Sequence, residues 1–146
     1  MVKQIGTKNM TQYDFADGLG PVAAHRHSNG GGWVADTAYV ADTAYVGGNA
    51  KVYGNAEVFG NARICCDASV SANAKVFGNA LVSANAKVFG NALVSGYAKV
   101  YGNAEVYDNT MLYGNAMIYG NARICGDAYV SGYTKVSGNA VISIKR

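Results

Sequence analysis

Val52-Tyr53-Gly54-Asn55-Ala56-Glu57 runs directly into Val58-Phe59-Gly60-Asn61-Ala62-Arg63, and the same six-residue phrase recurs along most of the chain. Valine, isoleucine or leucine falls on every sixth position from Val34 to Ile142, nineteen times in one register. The common form is V-[YFS]-G-N-A-[KELR]. Valine is β-branched and suits an extended, buried segment. Gly-Asn is a turn signal, since both residues accept positive φ. Alanine holds the fifth place from Ala38 to Ala140, replaced only by Thr110 and Thr134. A residue that small implies a corner with no room for bulk.

Each hexad therefore reads as a short strand and a corner. Side chains alternate along a strand, so valine points in and its two neighbours point out. One corner per six residues closes most simply as a three-sided prism. The expected fold is all-β, a parallel β-helix whose lap takes three hexads. Nineteen hexads make about six coils, roughly 29 Å tall at a strand spacing of about 4.8 Å. Each inward residue would bury against its copy eighteen positions away, and many identical nearest-neighbour contacts would supply the stability.

The chain of 146 residues suits one domain, with residues 1–33 as an irregular N-terminal cap and 34–146 as the repeat. Only 14% of residues are charged, there is one proline, and the net charge of +3 is too small to argue for a nucleic-acid partner. The opening MVKQIGTKNM has no apolar h-region, so no signal peptide is expected. No stretch approaches the roughly 18 apolar residues of a membrane helix, so no membrane partner is expected. Three cysteines, Cys65, Cys66 and Cys125, form no metal-ligand pattern and give an odd count, which argues against a disulfide framework. They read as small repeat residues in a reducing cytoplasm. The composition calls for no cofactor.

The repeat resembles the bacterial hexapeptide-repeat family over residues 34–142. That resemblance implies a left-handed parallel β-helix, whereas the general rule for parallel crossovers is right-handed. Gly31-Gly32-Trp33-Val34 followed by Asn-Ala repeats is similar to the YdcK-like members found in bacterial and prophage genomes. Hexapeptide-repeat proteins are usually trimers of parallel prisms, so the resemblance implies a homotrimer.

Positions eighteen apart share a face. The face through Val34, Val52 and Val70 displays Lys51, Lys87, Glu105 and Arg123 beside Tyr53, Phe89 and Tyr107, and is the most solvated. The face through Val40, Val58 and Val76 displays Phe59, Phe77, Leu93, Met111, Tyr113 and Tyr129. The third displays Leu81, Met117, Tyr101 and Tyr119 with Arg63, Lys99 and Lys135. Phe59 under Phe77, Phe89 under Tyr107 and Tyr101 under Tyr119 are expected aromatic stacks. They read either as ladder stabilisation, at about 0.2–1 kcal/mol per pair, or as a subunit interface, because so large an apolar band is seldom left wet. The expected interface comprises Phe59, Phe77, Leu93, Met111, Tyr113, Leu81, Met117 and Tyr119, lining the axis with the corner between the second and third faces. At the far end, Lys145 and Arg146 would discourage end-to-end growth of exposed strand edges.

Residues 1–33 hold both histidines, in Ala24-His25-Arg26-His27-Ser28-Asn29-Gly30-Gly31-Gly32-Trp33. Two residues apart on an extended segment, His25 and His27 would share one face, a workable metal-ligand spacing. A third ligand would have to come from Asp14, Asp17 or Asp36, and nothing in the sequence fixes that geometry. The glycines could form an anion nest with Arg26 as phosphate partner. The candidate ligand-binding set is His25, Arg26, His27, Asn29, Gly31 and Trp33, and the candidate ligand is a small, nucleotide-like anion. The plainer reading is a cap: glycines for a tight turn, Trp33 over the first coil, His25, Arg26 and His27 tying the loop down, and Tyr13, Phe15, Leu19 and Val22 as an apolar plug.

Many hexapeptide-repeat proteins are acyl-CoA transferases with a catalytic histidine in a coil or protruding loop. This chain has no histidine after His27 and no insertion in nineteen hexads, so no general base or loop pocket is evident. A zinc carbonic anhydrase of related architecture needs three coil histidines. Ice binding needs a flat threonine array. No catalytic residue and no metal ligand is therefore assigned. The sequence is read as a non-catalytic binding or scaffolding protein, docking on a host protein or holding an anion. An acyltransferase and a purely structural spacer are the alternatives.

Overall fold

The computed structural model describes residues 11–145. The opening MVKQIGTKNM, read above for a signal peptide, and Arg146, one of the two terminal charges, lie outside the described residues. The described residues hold strands and turns and no helix. The chain begins with β1 (Gln12–Asp14), β2 (Pro21–Arg26) and β3 (Trp33–Ala35), followed by β4 (Tyr39–Val40) and β5 (Tyr45–Val46). From there a strand recurs in every hexad to β21 (Val141–Ile144), most of them two residues long. Two residues cannot stand as an isolated strand. They persist because each is paired above and below.

The pairing is parallel, and the register is eighteen residues throughout. Val34 faces Val52, and Val52 faces Val70. Val58 faces Val76, and Val82 faces Val100. Successive hexads belong to three different sheets, of nine, six and six strands. The result is a parallel β-solenoid of about six turns. Main-chain bonds run lap to lap, for example Lys51 N–H to the Ala68 carbonyl at 3.1 Å and Tyr53 N–H to the Val70 carbonyl at 3.0 Å.

Inside runs one column of aliphatic side chains. From Val46 to Ile124 every sixth residue is fully buried, and the corner alanines pack with them. Val40 and Ile142, at the two ends, are only partly buried. Thr110 takes an alanine's place in a fully buried corner, and its hydroxyl has no partner. That costs about 1–3 kcal/mol relative to a satisfied hydroxyl.

The corners divide the turn work differently from the sequence expectation. Positive φ recurs at the third place of every hexad from Gly48 to Gly138, but the asparagine after it stays out of that region. Asparagine instead bonds upward. The Asn61 N–H donates to the Gly78 carbonyl at 2.8 Å. Side-chain amides form ladders, Asn103 donating to Asn121 at 3.4 Å and Asn121 to Asn139 at 3.2 Å. The first two corners, Asp36-Thr37 and Asp42-Thr43, are built without positive φ. There the threonine hydroxyls donate to the Gly54 and Gly60 carbonyls of the next lap.

The apolar side chains of the head do not form a plug across the end of the coil. β1 and β2 form an antiparallel hairpin, and β2 pairs antiparallel with β3, so the hairpin extends the first sheet. Its aromatics pack on the outer side of that sheet. Phe15, Ala24 and Ala35 form a second small core with Tyr13, Val22, Trp33 and Tyr53 around it. Leu19, expected in the plug, is 77% exposed because it lies in the turn between β1 and β2.

Candidate functional site

Sheet alternation sorts the head residues into two groups. Arg26 pairs with Trp33 and belongs to the outer side. Its guanidinium lies 4.6 Å from the centre of the Trp33 ring and donates to the Gly31 carbonyl at 3.0 Å. Trp33 stacks in turn on Tyr13, with ring centres 4.6 Å apart. Arg26, Gly31 and Trp33 are therefore brought together, but as a mutual brace, with Trp33 against the hairpin's outer aromatics and not across the first coil.

His25 pairs with Val34, on the core side of the sheet. Its Nδ1 lies 2.7 Å from the Asp36 carboxylate, with both side chains more than half exposed. An exposed pair of this kind contributes about 0–1 kcal/mol. His27 is buried, and its Nε2 is 2.8 Å from the Ala44 carbonyl. Asn29 donates to the same carbonyl at 3.2 Å. The two histidines thus serve different partners, and among the described residues no three His, Cys, Asp or Glu side chains gather as a metal site.

The glycine loop is an edge cover. Gly32 N–H donates to the Val46 carbonyl at 2.7 Å, and Val46 N–H donates to the Asn29 carbonyl at 3.1 Å, which protects the outer edge of β5. Gly31 N–H donates to the His27 carbonyl at 2.9 Å. A Cβ at Gly30 would fall 2.4 Å from the Val46 carbonyl oxygen, so the loop needs glycine for close approach. The amides that an anion nest would use at Gly31 and Gly32 are spent on protein carbonyls.

One feature of the head had no signal in the sequence. A cleft of about 310 Å³ opens between the β1–β2 turn and the first laps, lined mainly by Phe15, Leu19, Val22 and Tyr53, with Asp17 and Asp36. Phe15 stacks on Tyr53 with ring centres 4.8 Å apart. The charged side chains of this cleft, Asp17 and Asp36, are acidic, opposite in sign to the anion-binding expectation. Only the pairing of β2 with β3 brings residues 15–22 beside Tyr53.

The expected stacks on the outer faces are present. Ring centres are 4.8 Å apart for Phe59–Phe77, 4.9 Å for Phe89–Tyr107 and 5.0 Å for Tyr101–Tyr119. Phe59, Phe77, Leu93 and Met111 are half-buried on the second sheet, and Tyr113 and Tyr129 beside them are exposed. The only charged strand residues on that sheet are Glu57 and Lys75. On the third sheet Leu81, Met117 and Tyr119 are half-buried, but Leu81 and Met117 alternate with Arg63, Lys99 and Lys135. The first sheet carries an exposed Arg123 to Glu105 ion pair at 3.8 Å.

All three cysteines are free. Burial pushes the Cys65 thiol above its ordinary range, the adjoining Cys66 adds to the effect, and Arg63 opposes it. The Tyr107 hydroxyl is also raised, chiefly by its hydrogen bond with Cys125.

No protein-family model matches this chain, and neither a curated protein nor a solved structure does.

Proposed function

We propose that this chain is a hexapeptide-repeat protein with a left-handed coil, and that it works as a non-catalytic, self-associating scaffold that docks on other proteins. The resemblance in the repeat supports the family and the handedness. The observation that carries the functional reading is the outer side of the second sheet. There Phe59, Phe77, Leu93, Met111, Tyr113 and Tyr129 make an apolar band with two charges beside it. Bands of this kind mark interaction surfaces on soluble proteins.

The partner we favour is a second and third copy, arranged as a homotrimer of parallel coils with the second and third sheets toward the axis. The first sheet, with Lys51, Lys87, Glu105 and Arg123, then faces solvent. The commitments of the head residues favour docking over anion binding and over acyl transfer. A general base needs a ring nitrogen facing a substrate, whereas His27 is buried and held on Ala44, and His25, whose Nδ1 meets Asp36, does not line the cleft of the head.

Light scattering tests the reading. The unmodified protein is expected at three times 15.2 kDa. Phe77→Glu and Leu93→Glu each place a carboxylate in the band and are expected to give a monomer or insoluble protein. A monomeric unmodified protein, or variants whose mass is unchanged, would remove the proposal.

A further inference from the structure

We infer that Cys65 and Cys66 form a dithiolate site for a thiophilic divalent cation of the zinc and cadmium class. Neighbouring residues on an extended strand point to opposite faces, so adjacent cysteines ordinarily cannot converge on one ion. Here the strand has just ended at Ile64, and the two residues lie on the corner that follows. Cys66 occupies the left-handed third place of its hexad, at φ 60°. That turn brings the two sulfurs to 3.7 Å. Two thiolates bound at about 2.3 Å to a tetrahedral zinc stand about 3.8 Å apart. The pair therefore already spans one edge of the coordination tetrahedron, with almost no rearrangement required.

The site is reachable and held in place. Cys66 is exposed, and Cys65 is partly so. The corner is fixed to the next lap by bonds from Cys65 N–H to the Val82 carbonyl at 3.0 Å and from Asp67 N–H to the Ala84 carbonyl at 2.9 Å. It joins the third sheet to the first, away from the corner that the proposed trimer would bury, so the inference does not depend on that reading. In binding, each thiol gives its proton to solvent and each sulfur forms one bond to the metal. Solvent fills the two remaining positions, and no electron is transferred. Soft sulfur ligands select d¹⁰ ions of this kind over magnesium or calcium.

Cadmium titration of the reduced protein, followed by the sulfur-to-metal charge-transfer band in the ultraviolet, is the test. The unmodified protein and Cys125→Ser are expected to bind alike, since Cys125 lies on another sheet. Cys65→Ser and Cys66→Ser each leave one sulfur and are expected to lose more than about tenfold in affinity through loss of the chelate. Circular dichroism on the serine variants confirms that the solenoid is intact. Absence of the band in the unmodified protein, or affinity within about twofold in either single variant, overturns the inference.

Discussion

Val70→Asp is expected to leave the protein unfolded, while Ser69→Asp, one residue earlier, keeps or slightly raises its stability. Val70 lies fully buried in the aliphatic column between Val52 and Val88. An aspartate there forfeits about 1.5–3 kcal/mol of apolar burial. It must also desolvate a carboxylate, at a cost of several kcal/mol, with no partner in reach. The total, at least about 5 kcal/mol, consumes the stability of an ordinary domain. Repeat architecture offers no escape, because each lap is held by the laps beside it. Ser69 points out and sits in register with Lys51 and Lys87. A carboxylate there gains two cations as cross-strand neighbours, worth about 0.2–1 kcal/mol per pair. Urea unfolding followed by circular dichroism separates the two outcomes. A cooperative transition in the Val70 variant near that of the unmodified protein would contradict the inward column.

The second large effect lies at a corner. Gly96 sits at φ 64°, and a Cβ built on it would meet the Gly114 amide nitrogen at 3.0 Å and its carbonyl oxygen at 3.1 Å. Gly96→Val combines left-handed backbone with a branched side chain pressed on the next lap. It is expected to cost at least about 3 kcal/mol. Alanine marks the lower bound of this penalty, since Ala72 and Ala84 occupy the same place in their hexads at φ 58° and 57°. The sign therefore reverses there. Ala72→Gly is expected to gain about 1 kcal/mol by relieving the left-handed strain. Thermal and urea unfolding read both changes. A neutral Gly96→Val would show that the corners do not carry the lap-to-lap contact.

The solenoid was legible because its signal repeats. A single valine says little, but nineteen in one register allow few other arrangements, and the lap of eighteen follows from three hexads. The stacked pairs Phe59–Phe77, Phe89–Tyr107 and Tyr101–Tyr119 came with that lap. What escaped the sequence lacks repetition. Nothing in residues 11–33 announces that β2 pairs antiparallel with β3, and without that pairing Phe15 cannot be placed on Tyr53. Gly-Asn looked like two equivalent turn residues because both tolerate positive φ. Only the lap above shows why glycine takes it, since a backbone amide lies where a side chain would begin. The cysteine pair reads as two small residues because its spacing matches no metal-ligand pattern, and only the left-handed corner at Cys66 shows the two sulfurs converging.

The lap length itself can be measured in a cysteine-free background, with Cys65, Cys66 and Cys125 replaced by serine. Lys87 and Glu105 are eighteen apart, directly paired on the first sheet. At a strand spacing of about 4.8 Å, cysteines in their places fall within the roughly 4.4–6.8 Å that a disulfide spans. Lys99 is twelve residues from Lys87 and belongs to another sheet. Mild oxidation is expected to close an intramolecular disulfide in the Lys87→Cys, Glu105→Cys protein and to leave Lys87→Cys, Lys99→Cys with two free thiols. Closure of the second pair in place of the first would contradict a lap of three hexads.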